Sequence, residues 1–284
     1  MTPIVDRAVV IGTGSIGASL AVAARKAGAI GCVVGVGRGR ANLIRALEAG
    51  LVDEVSQDPL AAVAAADLVV IATPVDTAVD LLSGLVAAAP ARAVLTDVGS
   101  VKQPIVAAAR ACGISTRFVG GHPIAGGTAT GAAAADPELF RGRTVVLTPT
   151  PDADPAACAT VRAIWEATGA IVLEMTAARH DEILALTSHL PQFVAFALCA
   201  SVARDGEIAP ALFGSGFRDT TRLALSDHEM WLAIARLNRG AILRAMDGFS
   251  SLWSELRAAI AANDEAGLRR LLQEARACKE RSSS

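Results

Sequence analysis

A chain of 284 residues is long enough for two domains, each with a real core. A net charge of -2 and a pI near 6.1 argue against nucleic acid or an anionic membrane surface as the main partner. The five cysteines (Cys32, Cys112, Cys158, Cys199, Cys278) are scattered and lack C-x-x-C spacing. That argues against a disulfide framework or a zinc site, and it fits a reducing cytoplasm.

The amino terminus, Met1 to Arg7, has no signal-peptide layout and leads into a predicted strand at 8–11, Ala-Val-Val-Ile. Gly12-Thr13-Gly14-Ser15-Ile16-Gly17 follows and opens an Ala-rich helix reaching about Ala27. This is G-x-G-x-x-G between a strand and a helix, the context in which it binds a dinucleotide. Gly12 permits the tight turn, Gly14 lets the backbone approach a pyrophosphate, and Gly17 lets helix and strand pack closely. The helix amino terminus, from Ser15 and Ile16, offers free N–H groups to the phosphates. A second strand, Cys32 to Val36, leads into Gly37-Arg38-Gly39-Arg40. There is no carboxylate there for a ribose 2′-hydroxyl, and an arginine at this point suits a 2′-phosphate. The reading is NADP, with Arg38 as the contact and NAD as the alternative. Plain surface charges flanking the next helix remain the other account of Arg38 and Arg40.

Strands at 68–72 and 93–98, separated by Ala-rich amphipathic stretches, make a parallel doubly wound α/β sheet of Rossmann type. Thr73-Pro74 closes the first of them, where the chain turns over the cofactor. Ser100 and Gln103 form S-x-x-Q ahead of Pro104, a capping box whose hydroxyl could also face a substrate. Further strands are predicted at 117–120, 144–148 and 170–173. Between the first two lies Gly120-Gly121-His122-Pro123-Ile124-Ala125-Gly126. A histidine between a Gly pair and a Pro does not suit a helix or a central strand. His122 is therefore expected at a strand's carboxyl end, where ligands bind in open parallel sheets. Imidazole is well suited to exchange a proton near neutral pH, although a turn histidine capping backbone groups is the blander alternative.

From Thr176 onward the pattern turns helical, giving two domains, 1–175 for the dinucleotide and 176–284 for substrate and dimerisation. One helix is expected over 179–204, kinked near Pro191. Its uncharged run 187–203, like 8–24, is expected to fall short of a membrane span. Arg218 and Arg222 are four apart and would share a helix face. Ser226 with Glu229 reads as a capping box for a helix continuing past Gly240 to Ile260. Asn263 reads as the cap of a last helix to about Lys279, and a disordered Ser-rich tail is expected. The helical part carries more apolar faces (Leu243, Met246, Phe249, Leu252, Trp253, Leu256) than its helices bury among themselves, so packing against a second copy of the chain is expected.

Several of these segments together resemble the prephenate and arogenate dehydrogenases of tyrosine biosynthesis. The resemblance runs from Ala8 to about Leu256. It rests on GTGSIG (12–17), DVGSVK (97–102), GHPIAG (121–126), LFRGRTVVLTP (139–149), SHLPQ (188–192) and GFRDTTR (216–222). It implies a nucleotide-binding domain followed by a helical dimerisation domain. The reaction implied is oxidative decarboxylation of prephenate or arogenate to 4-hydroxyphenylpyruvate or tyrosine. It also implies that His122 is the base for the ring hydroxyl and that Ser100 bonds to that histidine and hydroxyl. Arg222 would grip a substrate carboxylate, with Arg218 a second basic position, and His189 would line the pocket. The sequence departs from the family at two places. Gly127-Thr128-Ala129-Thr130 stands where many prephenate-using relatives have Thr-Glu, and Gln192 stands where a second histidine is common. Both positions lie near the substrate side chain in that family, so they bear on substrate choice and on inhibition by tyrosine. No ACT domain or chorismate mutase is expected. A β-hydroxyacid-type NADP dehydrogenase would need a catalytic lysine, and none occurs between Lys102 and Lys279. A non-catalytic NADP-binding protein would be expected to have lost His122, Ser100 or the arginine pair, and all are present.

Overall fold

The computed structural model describes residues 2–125, 131–206, 208 and 210–281. Gly126 to Thr130 and the Ser282–Ser284 tail, on which two of the sequence expectations fall, lie outside the described residues.

An eight-stranded sheet has the order β3-β2-β1-β4-β5-β6-β7-β8. The strands are β1 (Val5–Ile11), β2 (Ile30–Val36), β3 (Glu54–Ser56), β4 (Leu68–Ile71), β5 (Val94–Asp97), β6 (Phe118–Pro123), β7 (Thr144–Pro149) and β8 (Ile171–Glu174). Every pairing is parallel except β6 with β7, so β7 and β8 run against the other six. The sheet is thus mostly rather than wholly parallel. Helices α1 (Ser15–Lys26), α2 (Arg40–Glu48), α3 (Pro59–Val63), α4 (Val75–Ala88), α5 (Gln103–Ala111) and α6 (Pro155–Ala167) cover it. Alternate residues of one strand enter opposite cores: Ala8 and Val10 of β1 pack on one side of the sheet, Val9 and Ile11 on the other. A strand buried on both faces reads as an unbroken apolar run, as 8–11 does.

The strand order reverses between β1 and β4, and the carboxyl ends of these two strands flank the cleft. His122 lies within β6, opposite Val146 of antiparallel β7. His122 thus stands at the carboxyl end of a strand, as expected, but that strand lies between β5 and β7 in the sheet, which corrects the expectation that the Gly-His-Pro stretch would not suit a central strand. The parallel partner β5 pairs only as far as Val119, so the rest of β6 projects past it with β7 alone. The Gly pair makes this path feasible: a Cβ at Gly121 would lie 2.7 Å from the Asp97 carbonyl oxygen.

The helical part comprises α7 (Ala177–Leu184), α8 (Leu190–Arg204), α9 (Ser215–Thr221), α10 (His228–Leu237), α11 (Arg239–Ala261) and α12 (Glu265–Arg281). The predicted kink before Pro191 takes the form of a π-helical turn, Ala185–His189, linking α7 to α8. The combined run Ala177–Arg204 is long and apolar enough to cross a membrane by length and composition, contrary to the sequence reading. It is interrupted by buried polar groups (His180, Asp181, His189, Gln192) that make hydrogen bonds within the fold. The expected helix from Ser226 to Ile260 is broken at Asn238 into α10 and α11. Three predicted caps are also replaced. Asp227 rather than Ser226 caps α10, and the Asp264 carboxylate accepts the Gly267 N–H at the start of α12, where Asn263 was expected. No side chain adjacent in sequence caps α5, so the Ser100 box does not form.

Candidate active site

The turn after β1 has the shape its glycines suggested. Gly12 adopts φ +105°, and a Cβ there would meet the Ala72 carbonyl oxygen at 2.4 Å. A Cβ on Gly17 would lie 2.1 Å from the Gly12 carbonyl oxygen, so helix and turn touch through bare backbone. Gly14 faces open space: a Cβ there would meet nothing within 4 Å. It stands at the start of α1, which has no side-chain cap. The Ser15 hydroxyl donates to the Ala134 carbonyl (3.2 Å), and Ile16 packs partly against the core, so these two residues bring only backbone N–H groups to the turn. Across the cleft, the Thr73 hydroxyl is buried without a hydrogen-bond partner among the described residues, next to Pro74 at the start of α4. A buried hydroxyl left unpaired at the mouth of a phosphate-type turn fits a nucleotide as its missing partner. Arg38 is exposed after β2. Close behind it, α2 starts without a side-chain cap or an acid in its first turn.

The second cluster gathers three of the chain's four histidines. His122, half-buried, has Nδ1 2.8 Å from Nε2 of His180, a residue the sequence reading did not single out. His180 is fully buried, and its Nδ1 lies 2.7 Å from Asp181 Oδ1. The two Asp181 oxygens also accept the backbone N–H groups of Lys102 (2.7 Å) and Gln103 (2.8 Å). The cap of α5 therefore comes from a carboxylate far along the chain. Lys102 is fully buried; its ammonium contacts the Asp97 carboxylate and donates to the Gly121 carbonyl at 2.6 Å. Asp97 accepts the N–H groups of Gly99 (2.8 Å) and Gly121 (3.2 Å), which pins the strand end that carries His122.

The π-turn brings His189 to this cluster. Nine residues at about 100° each would put His180 and His189 on opposite faces of an ideal helix. The one extra residue of a π-turn rotates His189 back by about 100°. Both rings are buried, and Asn238 links His189 to the backbone of Asp181. Its amide donates to the Asp181 carbonyl (2.9 Å) and lies 3.2 Å from His189 Nδ1. His189 is 1% exposed and packs edge-on against Trp231, so it is a core histidine rather than an open pocket wall.

Burial pushes the His122 imidazole well below its ordinary pKa, with His180, Lys102 and His189 adding to the effect. Burial also takes His189 down to about 4, with Asp181 opposing. Both rings are therefore neutral at pH 7. His122 Nε2 makes no hydrogen bond among the described residues, which leaves it free to accept a proton.

Not every predicted residue joins this cluster. The Ser100 hydroxyl is half-buried on the loop after β5 but makes no hydrogen bond to His122, whose Nδ1 is taken by His180. Arg218 lies in α9 and Arg222 in the 3-10 turn after it; both are exposed and make no ion pair among the described residues. Buried Gln192 donates to the Leu223 carbonyl at 2.6 Å, which fixes the Arg222 turn one helical turn away from His189. The sequence reading missed His180, Asp181, Asp97, Lys102 and Asn238. The one available signal was scarcity, since a chain with four histidines spends three of them here.

A family model described as prephenate dehydrogenase, nucleotide-binding domain, matches residues 20–174, and one described as prephenate dehydrogenase, dimerization domain, matches residues 176–274. The cyclohexadienyl dehydrogenase of Zymomonas mobilis is 36% identical over 229 residues, 78% of this chain and 76% of that protein. The crystal structure of the Aquifex aeolicus prephenate dehydrogenase, bound to hydroxyphenyl propionate and NAD+, superposes with a TM-score of 0.92 at 30% identity, covering 97% of this chain and 98% of that one. The Synechocystis arogenate dehydrogenase superposes with a TM-score of 0.84 at 33% identity over 97% and 99%. With both of its halves matched in order and its fold shared along nearly the whole length, this chain belongs to the prephenate dehydrogenase family.

Proposed function

We propose that the protein oxidises a cyclohexadienyl acid, prephenate or arogenate, with loss of carbon dioxide and reduction of a nicotinamide nucleotide. Residues 1–175 would hold the nucleotide and 176–284 would supply the substrate and dimer surfaces. The observation that carries the reading is a neutral imidazole, His122, at the carboxyl end of the sheet that also bears the dinucleotide turn. The names of the relatives support the substrate class, and the family's dimerization domain supports a homodimer through the helical part.

The Gly12–Gly17 turn, Thr73 and Pro74 would hold the nucleotide, which supplies the hydride acceptor when bound. Arg38 and the uncapped start of α2 favour a 2′-phosphate, hence NADP over NAD. His122 Nε2 takes the proton of the ring hydroxyl as the carbinol carbon gives up its hydride. Loss of the ring carboxylate as carbon dioxide then makes the ring aromatic. Ser100, half-buried on the loop after β5, would bond the same hydroxyl, and Arg222, with Arg218 nearby, offers a guanidinium with no ion pair among the described residues to a carboxylate. Gln192 acts by holding the Arg222 turn. Five free thiols support a cytoplasmic location.

Incubation with prephenate, and separately with arogenate, in the presence of NADP or NAD tests the reading through near-ultraviolet absorbance of the reduced nucleotide. His122→Asn is expected to lower turnover by about a hundredfold or more with nucleotide binding unchanged, the usual worth of general base catalysis. No nucleotide reduction with either acid would overturn the proposal.

A further inference from the structure

We infer that His180 is a positioning residue that sets which nitrogen of His122 carries the proton. The inference rests on His122 being the base, as proposed above. Each link follows from donor and acceptor chemistry. Both Asp181 oxygens already accept backbone N–H groups from the start of α5, so this carboxylate meets His180 as an acceptor. His180 Nδ1, 2.7 Å away, must then donate to it. In the neutral ring that leaves a lone pair on His180 Nε2, which faces His122 Nδ1 at 2.8 Å. Two facing nitrogens share one proton, so His122 Nδ1 carries it and His122 Nε2 keeps its lone pair. The opposite tautomer would put a proton on Nε2, where it could accept nothing from a substrate hydroxyl.

The surroundings hold this arrangement in place. His180 is fully buried, so water cannot compete for either of its nitrogens. The other charged or titratable groups around His122 are Lys102, whose ammonium is held by Asp97 and the Gly121 carbonyl, and His189, held by Asn238. None of these takes His122 Nδ1. In turnover the substrate hydroxyl proton moves to His122 Nε2 and the hydride leaves for the nicotinamide. The Nδ1–H bond to His180 persists, so the positive charge forms at the end of a chain that terminates in the Asp181 carboxylate. Since α7 carries His180 and β6 carries His122, the helical part of the chain sets the proton arrangement of a base borne on the sheet.

Two-bond proton–nitrogen NMR on the full chain, labelled with ¹⁵N-histidine and saturated with NADP, reads the tautomer directly; the signals lost in His122→Asn identify the ring. The expected spectrum shows His122 with Nδ1 protonated and Nε2 bare at neutral pH. His180→Phe is expected to convert His122 to a mixture of tautomers and to lower kcat at least about tenfold, within the range of lost base catalysis, with KM for the acid substrate little changed. His180→Gln restores an oxygen acceptor for His122 Nδ1 and is expected to recover most of kcat. A protonated Nε2 in the wild-type protein overturns the inference, and so does a folded His180→Phe variant with wild-type kcat. Because the wild-type spectrum needs neither turnover nor a variant at position 180, failure to oxidise prephenate or arogenate would count against the substrate reading and leave the tautomer result in force.

Discussion

The sheet-bearing part and the helical part differ in how completely each buries its own apolar surface. In the first, Val9, Val69, Leu82 and Phe118 are all 0% exposed, and both faces of the sheet are covered except at edge strand β8, where Ile171 and Leu173 are exposed. In the second, Leu225 is 85% exposed, Leu232 61%, Trp253 59% and Leu252 52%. The one buried apolar cluster among its described residues is completed by Val75 and Val101, which belong to α4 and to the loop before α5. The sheet is therefore a self-sufficient fold, whereas the helices depend on a seam with the sheet and, on the dimer proposed above, on a second copy of the chain. The polar seam that joins the parts is also the proposed catalytic cluster, so on that proposal the link between the two halves and the chemistry are maintained by the same residues.

The severest way to break this arrangement is at the buried ammonium. Lys102→Met leaves Asp97 charged, buried and short of its counter-ion, a loss that typically costs about 3–5 kcal/mol. Urea denaturation is expected to show a midpoint lowered accordingly, and a midpoint within error of wild type would mean that Lys102 does not anchor the end of β6.

Acid should act next, and through the helical part. Burial lowers the His189 pKa from 6.5 to about 4, so between those values the unfolded chain binds the extra proton and the folded one does not. Stability is thus full above pH 6.5 and falls as the pH drops toward 4. The contribution lost is about 3 kcal/mol if His189 acts alone. His122, also depressed, adds to the loss in the same direction. A His189→Gln variant is expected to show a shallower fall of Tm over this range; an unchanged slope would place the acid sensitivity elsewhere.

The unpartnered face of α11 gives the third test. Phe249 and Trp253 stack there at 5.9 Å between ring centres, and Leu252 lies beside them. Trp253→Glu would bury a carboxylate at the proposed dimer contact and should weaken association by about a hundredfold or more, since an unpaired buried charge costs several kcal/mol. Sedimentation at micromolar concentration would read this as a shift from dimer to monomer, with the circular dichroism of the sheet unaltered. A variant that stays dimeric would remove this face from the interface.

These two parts also differ in how far the sequence could be read. The turn after β1 was legible because its geometry is local: within six residues Gly12 and Gly17 each make a backbone approach that a side chain would block, and Gly14 between them faces open space. His122 was legible as a candidate at a strand's carboxyl end through its Gly and Pro neighbours, although the antiparallel β7 beside it was not, since that pairing runs beyond the reach of β5. The rest of the site was not legible. Asp181 caps a helix that begins some 80 residues earlier, and His189 joins the cluster only because a π-turn shifts the helical phase. Period-counting assumes an unbroken α-helix and puts His180 and His189 on opposite faces. The Ser100 capping box failed for a related reason: a distant carboxylate had already satisfied the N–H groups that Ser100 would have capped. A local rule lost to a tertiary contact.

The mildest prediction isolates the sheet from the helices. Arg38 is exposed, its side chain makes no ion pair or hydrogen bond among the described residues, and only its carbonyl is engaged, by Gln57. Replacing it should therefore leave stability and dimerisation untouched. If it meets a 2′-phosphate, Arg38→Ser removes one charge-assisted contact at a solvent-exposed site, worth about 1.4 kcal/mol, or tenfold in affinity. The KM for NADP should rise by about that factor while the KM for NAD stays level, because NAD has no phosphate at that position. The ratio of the two constants, measured at low ionic strength where screening is weakest, carries the test. A parallel rise in both would mean that Arg38 supports the loop rather than the phosphate. No change in either would return Arg38 to the surface charges and leave NAD, the nucleotide bound in the Aquifex aeolicus relative, as the better reading.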